Sequence, residues 1–158
     1  MNLFQSERYE GSLGLAHQAI DIAKTEGFIA LDAEGHCEAE WIECAGGTHP
    51  LALKDWIADM LTAQTIQLVR YKCDSMYAEL NSLGVPKKDH KWVRVARSAA
   101  APYIVTEDID LFDPKKKKNC TSTAAMTIKL QGKGPVAKHL RKKFSIIVTC
   151  SEKLPSFF

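Results

Sequence analysis

Residues 103–114 read Tyr103-Ile-Val-Thr-Glu-Asp-Ile-Asp-Leu-Phe-Asp-Pro114 and form the most informative pattern in the chain. The apolar residues at its start predict a short buried strand. Three aspartates follow that strand closely: Asp108, Asp110 and Asp113. Hard divalent cations take oxygen ligands and favour clustered carboxylates, so one interpretation is a metal site. The alternative is that aspartate and proline simply open a surface loop.

The composition is that of a globular protein with a core of ordinary size. The chain has 158 residues, of which 46% are hydrophobic and 25% charged, and this suits a single domain over residues 1–158. Its apolar runs are far shorter than a membrane span and the N-terminus lacks a signal-peptide pattern, so we expect a cytoplasmic protein without a membrane partner. Five cysteines without a CxxC pair favour reduced thiols over a zinc site or disulfides: Cys37, Cys44, Cys73, Cys120 and Cys150.

Positive charge is concentrated in two runs, although the net charge is only +2. The chain as a whole is therefore not a basic nucleic-acid-binding protein. Such runs are usually solvated surface, but beside a carboxylate–metal centre they would hold a phosphodiester backbone that the carboxylates repel. The candidates for nucleic-acid binding are Lys115, Lys116, Lys117 and Lys118 of the first run and Arg141 of the second, which also contains Lys138, Lys142 and Lys143.

The first half of the chain predicts helices alternating with short strands. Asp32-Ala-Glu-Gly35 has the composition of a turn, and the residues after it, His36 to Ile42, predict the returning strand of a hairpin. The other predicted elements of this half are a helix over Ser12–Lys24, a strand over Phe28–Leu31, a helix from Pro50 to about Leu61 with Trp56, Ile57 and Met60 facing inward, a strand over Thr65–Tyr71, and a helix over Ser75–Leu83 closed by Gly84.

The second half continues the alternation around the acidic stretch. Residues 120–134 are polar and contain glycine, and we assign most of them no structure; an insert is placed at about 115–133. Helices alternating with apolar strands predict an α/β three-layer sandwich, with a central, mainly parallel sheet flanked by helices. The predicted elements of this half are a helix from Asp89 to about Ala99, a strand over Tyr103–Thr106, a helix over Pro135–Lys143, a strand over Ser145–Cys150 and a terminal turn capped by Ser151.

Four carboxylates are candidate site residues: Glu40, Asp89, Asp108 and Asp110. In a parallel α/β sheet, sites gather beyond the carboxyl ends of strands, where helices also begin, so Asp89 and Asp108 would both face that crevice. Structural alternatives stay open for two of them. Aspartate at a helix start commonly caps free N–H groups, and Glu40 would be an exposed strand residue. Helix capping or surface exposure can explain one of these carboxylates, but explains all four together less well.

The order of these motifs resembles the PIN-domain nucleases. The most specific match is Val105-Thr-Glu-Asp-Ile-Asp110, which is similar to the family's strand ending in Thr-x-Asp-x-Asp. The resemblance implies a central parallel sheet flanked by helices and a divalent-metal-dependent endoribonuclease that hydrolyses RNA phosphodiester bonds. The other matching segments are Ile29-Ala-Leu-Asp-x-x-Gly35, Glu38-x-Glu40-Trp41, Asp89-His-x-x-Val-x-x-Ala96 and, for the closing strand and short helix, Phe144-Ser-Ile-Ile-Val-Thr-Cys-Ser-Glu-Lys-Leu154.

The family's acidic positions map onto this chain with one departure. Glu40 falls on the second acidic position, Asp89 on the third and Asp108 on the fourth, while Asp110 matches a frequent additional one. The first acidic residue has no match, because Met1-Asn2-Leu3-Phe4 resembles only the tail of its motif, on the strand that is the middle of the family's sheet. Either the given start lies too late, or the chain is a degenerate member that has lost activity. The retained Asn-Leu-Phe favours the first explanation.

The resemblance also implies a cofactor, residue roles and partners. The cofactor would be Mg²⁺ or Mn²⁺, since clustered carboxylates repel one another unless a cation neutralises them. Asp89 and Asp108 would be the principal ligands, Asp110 a ligand or a support for one, and Glu40 would hold a water or act as general base. RNA as substrate, an antitoxin protein as partner and a homodimer are expected on the resemblance alone, because many compact members are toxins of toxin–antitoxin pairs.

Two other classes of function stay open. A non-catalytic PIN-like module would bind RNA or a protein partner without cutting. A metal-dependent phosphatase with an aspartate nucleophile would need Asp-x-Asp on an early strand, which is absent from the early strand here. No aromatic ladder for base stacking is visible, and Trp41, Trp56 and Trp92 lie on apolar faces typical of a core.

Overall fold

Alternating strands and helices make up the part of the chain that the structure describes. The computed structural model describes residues 22–23, 25, 27–45, 50–72 and 76–158. The strands are β1 (Ile29–Asp32), β2 (Ile66–Val69), β3 (Tyr103–Val105) and β4 (Ile147–Thr149). The helices are α1 (His36–Ala45), α2 (Pro50–Thr62), α3 (Tyr77–Ser82), α4 (His90–Ser98), α5 (Ser122–Gln131) and α6 (Pro135–Phe144), with 3₁₀ turns over Lys87–Asp89, Ile109–Leu111, Pro114–Lys116 and Leu154–Phe157.

The described strands pair in parallel, as the α/β prediction required. Strand β1 pairs with β2, with Ile29 opposite Ile66, and β3 pairs with β4, with Tyr103 opposite Ile147. Parallel neighbours need a crossover connection, and helices lie between the paired strands in the sequence. The class α/β with short parallel strands is therefore confirmed, and the described strands form two two-stranded sheets.

Helix α4 contacts both sheets, through β1 and through β3. Val93 and Ala96 belong to the large hydrophobic cluster that also contains Ile104 of β3. Val95 instead belongs to a smaller cluster with Leu31 of β1. Burying an aliphatic side chain of this size contributes about 1.5–3 kcal/mol, so neither contact is incidental. The helix is apolar on more than one side because it separates two cores.

The predicted hairpin at the start of the described chain is wrong, because residues 36–45 form helix α1 rather than a returning strand. The turn itself is confirmed, since Gly35 donates its N–H to the Asp32 carbonyl at 3.1 Å. The Asp32 carboxylate then accepts the N–H groups of His36 and Cys37, both at 2.7 Å. These are free donors at a helix start, and satisfying them stabilises a helix over a strand.

Residues 122–131, which we left unassigned, form helix α5. Its first turn is capped by Thr121, whose Oγ1 accepts the Ala124 N–H at 3.3 Å. Beyond the helix the chain returns to the acidic stretch, where Val136 donates its N–H to the Phe112 carbonyl at 3.1 Å. Gly134 makes this approach feasible: it has φ +134°, and a Cβ there would lie 2.1 Å from the Phe112 carbonyl oxygen. Only glycine fits such a position.

The remaining predicted elements agree with the structure to within a few residues. Helix α2 begins at Pro50 and buries Ile57 and Met60 as expected. Gly84, which closes α3, has φ +81°. The predicted helix over Ser12–Lys24 and the segment Met1–Phe4 lie outside the described residues or almost wholly so.

Predictions about particular side chains and membranes have mixed outcomes. Trp41 and Trp92 are half-buried and stacked with centroids 6.1 Å apart, whereas the Trp56 side chain lies outside the description. Free thiols are present at Cys37, Cys120 and Cys150, while Cys73 and the Cys44 side chain are not described. Among the described residues, no helix has the length and apolar character needed to cross a membrane.

Candidate metal centre

The acidic stretch after β3 is organised by hydrogen bonds between residues two positions apart. The Thr106 hydroxyl accepts the Asp108 N–H at 3.0 Å, and the Asp108 Oδ1 accepts the Asp110 N–H at 3.0 Å. Serine, threonine and aspartate side chains favour such local bonds, which turn the backbone tightly. The Thr-x-Asp-x-Asp spacing thereby brings Asp108 and Asp110 to the same end of the strand. The alternative that these aspartates open a loop therefore holds in part, because Asp108 Oδ1 stabilises the turn that follows the strand.

Asp89 approaches from the opposite side, at the junction of the 3₁₀ turn with helix α4. It occupies the N-cap position as the structural alternative expected, but its carboxylate makes no capping hydrogen bond to that helix. The residue is only 5% exposed, and among the described residues its Oδ2 atom has no hydrogen-bond partner. A buried polar atom without a partner is costly and requires an explanation.

The three carboxylates meet. Asp89, Asp108 and Asp110 each offer a ligand atom, and these atoms all lie within 4.8 Å of one another. Asp110 is buried as deeply as Asp89, and Asp108 is half-buried. Oxygen-rich clusters of this kind suit Mg²⁺, Mn²⁺ or Ca²⁺. The unpartnered Oδ2 of Asp89 fits the same conclusion, because a bound cation would satisfy it.

Burial and crowding raise the pKa of Asp89 to about 6. Loss of solvation is the largest cause, and the neighbouring charges of Asp108, Asp110 and Glu40 act in the same direction, while Lys88 opposes them. Asp32 is a useful contrast within the same chain, since it is equally buried. Despite its burial, hydrogen bonds from Cys37 and His36 hold the pKa of Asp32 below its usual value. The two residues differ because Asp32 accepts hydrogen bonds that favour its charged form, whereas Asp89 faces other carboxylates that disfavour its charged form.

Lys117 is the internal counter-ion of this cluster. Its ammonium group contacts Asp110 Oδ2 and lies 3.5 Å from Asp108 Oδ1. The hydrogen bond to Asp110 is the largest cause of a raised pKa at Lys117. Sequence reasoning placed this lysine on an RNA-binding surface, whereas the structure places its charge among the carboxylates. A half-exposed ammonium (48% of the side chain) can leave such a position without unfolding the chain.

Glu40, the fourth candidate, lies close to the three aspartates without joining them. It is on helix α1 and forms an ion pair with Lys91 of α4. Its charge is one cause of the raised pKa of Asp89, so the two carboxylates are near neighbours. Asp113, the last aspartate of the acidic stretch, is outside the three-carboxylate group, although its Oδ1 is also buried without a partner among the described residues.

The other basic candidates are on the surface. Lys115, Lys116 and Lys118 are exposed beside the acidic stretch, and Arg141 is exposed on helix α6. Their assignment to nucleic-acid binding stays a prediction.

Glu107 is a supporting residue that sequence reasoning missed. It accepts the N–H and hydroxyl of Ser151 at 2.9 and 2.8 Å and pairs with Lys129 of α5 at 2.7 Å. Ser151 was expected to cap the terminal turn, and it instead ties the end of β4 to the acidic stretch. The sequence did contain a signal for this role. Side chains alternate between the two faces of an extended segment, so Glu107 is expected on the face opposite to Thr106 and Asp108.

Asp89→Asn should stabilise the metal-free protein. Above about pH 6 the wild-type carboxylate is charged in an unfavourable place, and a pKa raised from 3.8 to about 6 corresponds to roughly 3 kcal/mol at most. As pH falls through 6 toward 4, protonation removes this cost, so the advantage of the variant should shrink. Urea unfolding in EDTA at about pH 7.5 and pH 4.5 measures both effects. Asp59→Asn on the exposed side of α2 is the control, and an equal gain there would contradict the argument.

Lys117→Met should strengthen metal binding. Removing the ammonium leaves Asp108 and Asp110 without their internal cation, so Mn²⁺ no longer competes with it; we expect an affinity increase on the order of tenfold, equivalent to about 1.4 kcal/mol. Isothermal titration with Mn²⁺ measures the change. Lys118→Met removes the same charge from an exposed neighbour and should have little effect. Weaker binding in Lys117→Met would show that the lysine supports the site instead of competing for it.

Comparison with protein-family models, with curated proteins and with solved structures finds no match to this chain. The case for a metal centre therefore depends on the positions of Asp89, Asp108 and Asp110 themselves.

Proposed function

We propose that this chain is a divalent-metal-dependent endoribonuclease of the PIN-like kind, acting in the cytoplasm. The observation that supports it best is the buried, unpartnered Oδ2 of Asp89 within 4.8 Å of the ligand atoms of Asp108 and Asp110. A site built this way is costly to the fold unless it binds a cation, and clustered carboxylates are typical of enzymes that cut phosphodiesters with Mg²⁺ or Mn²⁺. The choice of RNA follows from the family resemblance.

The residues around the site have separable roles in this mechanism. Asp89, Asp108 and Asp110 would hold the ion, which when bound supplies positive charge that lowers the pKa of a nearby water and stabilises the negative charge developing on the phosphoryl group. Glu40, which pairs with Lys91, would take a proton from the attacking water. Lys117, released from Asp110, would bind a phosphate oxygen of the substrate.

We also propose that the two described sheets are the two sides of one central sheet. On the β2 side, Ile29 donates its N–H to Thr65, just before β2, and Ala33 donates to Val69, while Thr106 donates its N–H to β4. Backbone groups alternate sides along a strand, so those of Ala30 and Val105 point to the other edges of β1 and β3. The packing of helix α4 on both strands supports this arrangement. An extended strand between them would satisfy both edges and complete a three-layer sandwich.

Amide hydrogen exchange tests the central strand. If a further strand pairs with both edges, the amides of Ala30 and Val105 should exchange as slowly as those of Ile29 and Thr106, which already bond to β2 and β4. Exchange at Ala30 and Val105 near the rate of an open chain, with Ile29 and Thr106 protected, would contradict the proposal.

A second candidate function is a PIN-like module that binds RNA or a protein partner without cutting. The position of Lys117 favours it, because an ammonium group among the carboxylates neutralises them as a metal ion would. An antitoxin protein and a second copy of the chain are partners proposed from the family resemblance alone, as is RNA binding by Lys115, Lys116, Lys118 and Arg141.

A cleavage assay separates the two functions. End-labelled single-stranded RNA incubated with the protein and Mn²⁺ should be cut by the wild type and left intact in EDTA. Asp108→Asn should slow cutting by about a hundredfold or more, since it removes one ligand charge and leaves the Asp110 N–H with an acceptor of similar shape. Asp59→Asn should cut like the wild type. Intact RNA with the wild type, together with measurable Mn²⁺ binding, would favour the non-cleaving module.

A further inference from the structure

A cleft of about 830 Å³ lies between helix α1 and the segment that leads into helix α4. It is open to solvent along one side. Its lining contains four basic residues, two acidic residues and one tyrosine, together with His36 and Ala39. The charged residues and the tyrosine are Lys87, Lys88, Lys91, Arg94, Glu40, Glu43 and Tyr71.

The basic residues of the cleft share one wall because of their spacing. Lys88, Lys91 and Arg94 are three residues apart, and residues three or four apart on a helix are neighbours on its surface. Lys87 and Lys88 are exposed at the preceding 3₁₀ turn, while Lys91 is half-buried. The opposite wall is formed by helix α1, which contributes Glu40 and Glu43. Positive groups outnumber negative ones in the lining, although the net charge of the chain is only +2.

The cleft leads to the metal centre. Lys88 is adjacent in sequence to Asp89, and its charge partly offsets the raised pKa of that residue. Glu40 lines the cleft and its charge acts on Asp89 from the other wall. The three carboxylates are not part of the cleft lining itself, but Lys88 lines the cleft and adjoins Asp89 in the chain, which places one end of the cleft beside that residue.

We propose that this cleft binds the phosphate backbone of single-stranded RNA and directs it to Asp89, Asp108 and Asp110. The inference rests on the proposed nuclease function for its substrate, and it adds a path for that substrate. Lysine ammonium groups bind phosphates as point charges, and a row of them follows a backbone. The half-buried Tyr71 supplies an aromatic surface against which a base can stack. This path differs from the exposed run Lys115–Lys118 that sequence reasoning favoured.

Within the cleft, the Glu40 carboxylate competes with an RNA phosphate for Lys91. Its ammonium pairs with Glu40 and lies 5.6 Å from the centroid of the Trp92 ring. A phosphate that approaches Lys91 must replace the Glu40 carboxylate. Removing the Glu40 charge should therefore strengthen RNA binding, which is the opposite of the effect expected for removing a basic group from the same cleft.

RNA binding measured without cleavage tests the proposal. Fluorescence anisotropy in EDTA, with a labelled single-stranded RNA of about 12 nucleotides, reports binding whether or not the protein is a nuclease. Lys87→Glu/Lys88→Glu should weaken binding at least tenfold and make its salt dependence shallower, by about 0.7 in the logarithmic slope for each phosphate that the protein no longer neutralises. Lys138→Glu/Lys142→Glu makes the same charge change on exposed residues of α6 and should weaken binding far less. Glu40→Gln should tighten binding a few-fold.

The RNA-binding measurements distinguish failure of the cleft proposal from failure of the nuclease proposal. Failure of the wild type to bind RNA, or equal losses in the cleft and α6 double variants, would overturn the cleft proposal. It would also be overturned if Lys115→Glu/Lys116→Glu abolished binding while Lys87→Glu/Lys88→Glu retained it. RNA binding that depends on the cleft in a protein that does not cut RNA with Mn²⁺ would support the cleft and refute the nuclease. Matching thermal unfolding midpoints would show that the double variants are folded.

Discussion

Helix α4 holds the two pairs of strands together, because different sides of it are buried in different hydrophobic clusters. Val93 and Ala96 pack into the cluster around β3, and Val95 packs into the cluster around β1. The position of Asp89 follows from this packing, since the residue precedes the first turn of α4. Helix α4 and the segment after β3 both contribute side chains to the larger cluster, and this packing keeps Asp89 beside Asp108 and Asp110 despite their electrostatic repulsion.

The packing of the fold brings the three carboxylates of the candidate metal centre together, and their mutual repulsion opposes that packing. Among the described residues Asp89 Oδ2 has no hydrogen-bond partner, and the pKa of Asp89 is raised because burial and nearby carboxylates disfavour its charged form. Lys117 reduces the repulsion at Asp108 and Asp110. It does so from a loop that lies outside the α/β elements, between β3 and α5. The segment treated as an insert thus supplies charge compensation that the strands and helices do not.

The sequence predicted the structure best where a group of residues suits one kind of chemistry. The aspartates after β3 predicted a carboxylate cluster because divalent cations favour such ligands, and the structure brings Asp108 and Asp110 together with Asp89. Sequence reasoning failed at His36–Ile42. The residue pattern there is compatible with a strand, but the Asp32 carboxylate caps the segment and stabilises it as a helix. Periodicity is weak over so short a segment, and the capping bonds depend on a turn that brings residues four and five positions apart together.

The basic residues of the cleft were missed for a different reason. Lys88, Lys91 and Arg94 have the spacing of one helix face, yet a charged stripe on a helix is usually solvated, and the sequence does not reveal what lies opposite it. Only the packing of α1 against α4 turns that stripe into the wall of a cleft. The position of Lys117 was beyond prediction for a similar reason, since it depends on how a loop folds back over the strand end.

Among the described residues, the two hydrophobic clusters differ in size, and this difference bears on how the molecule opens. Asp89, Asp108 and Asp110 are attached to elements of the larger cluster, whereas Glu40 and its wall of the cleft belong to the smaller one around Leu31 and Cys37. Regions with few buried apolar contacts unfold locally at a lower free energy than the rest of a domain. The β1–α1 unit should therefore separate transiently while the carboxylates keep their positions. Local opening would then widen the cleft beside Glu40 while Asp89, Asp108 and Asp110 stay together, so the part of the described chain that opens most easily is not the part that holds the three carboxylates.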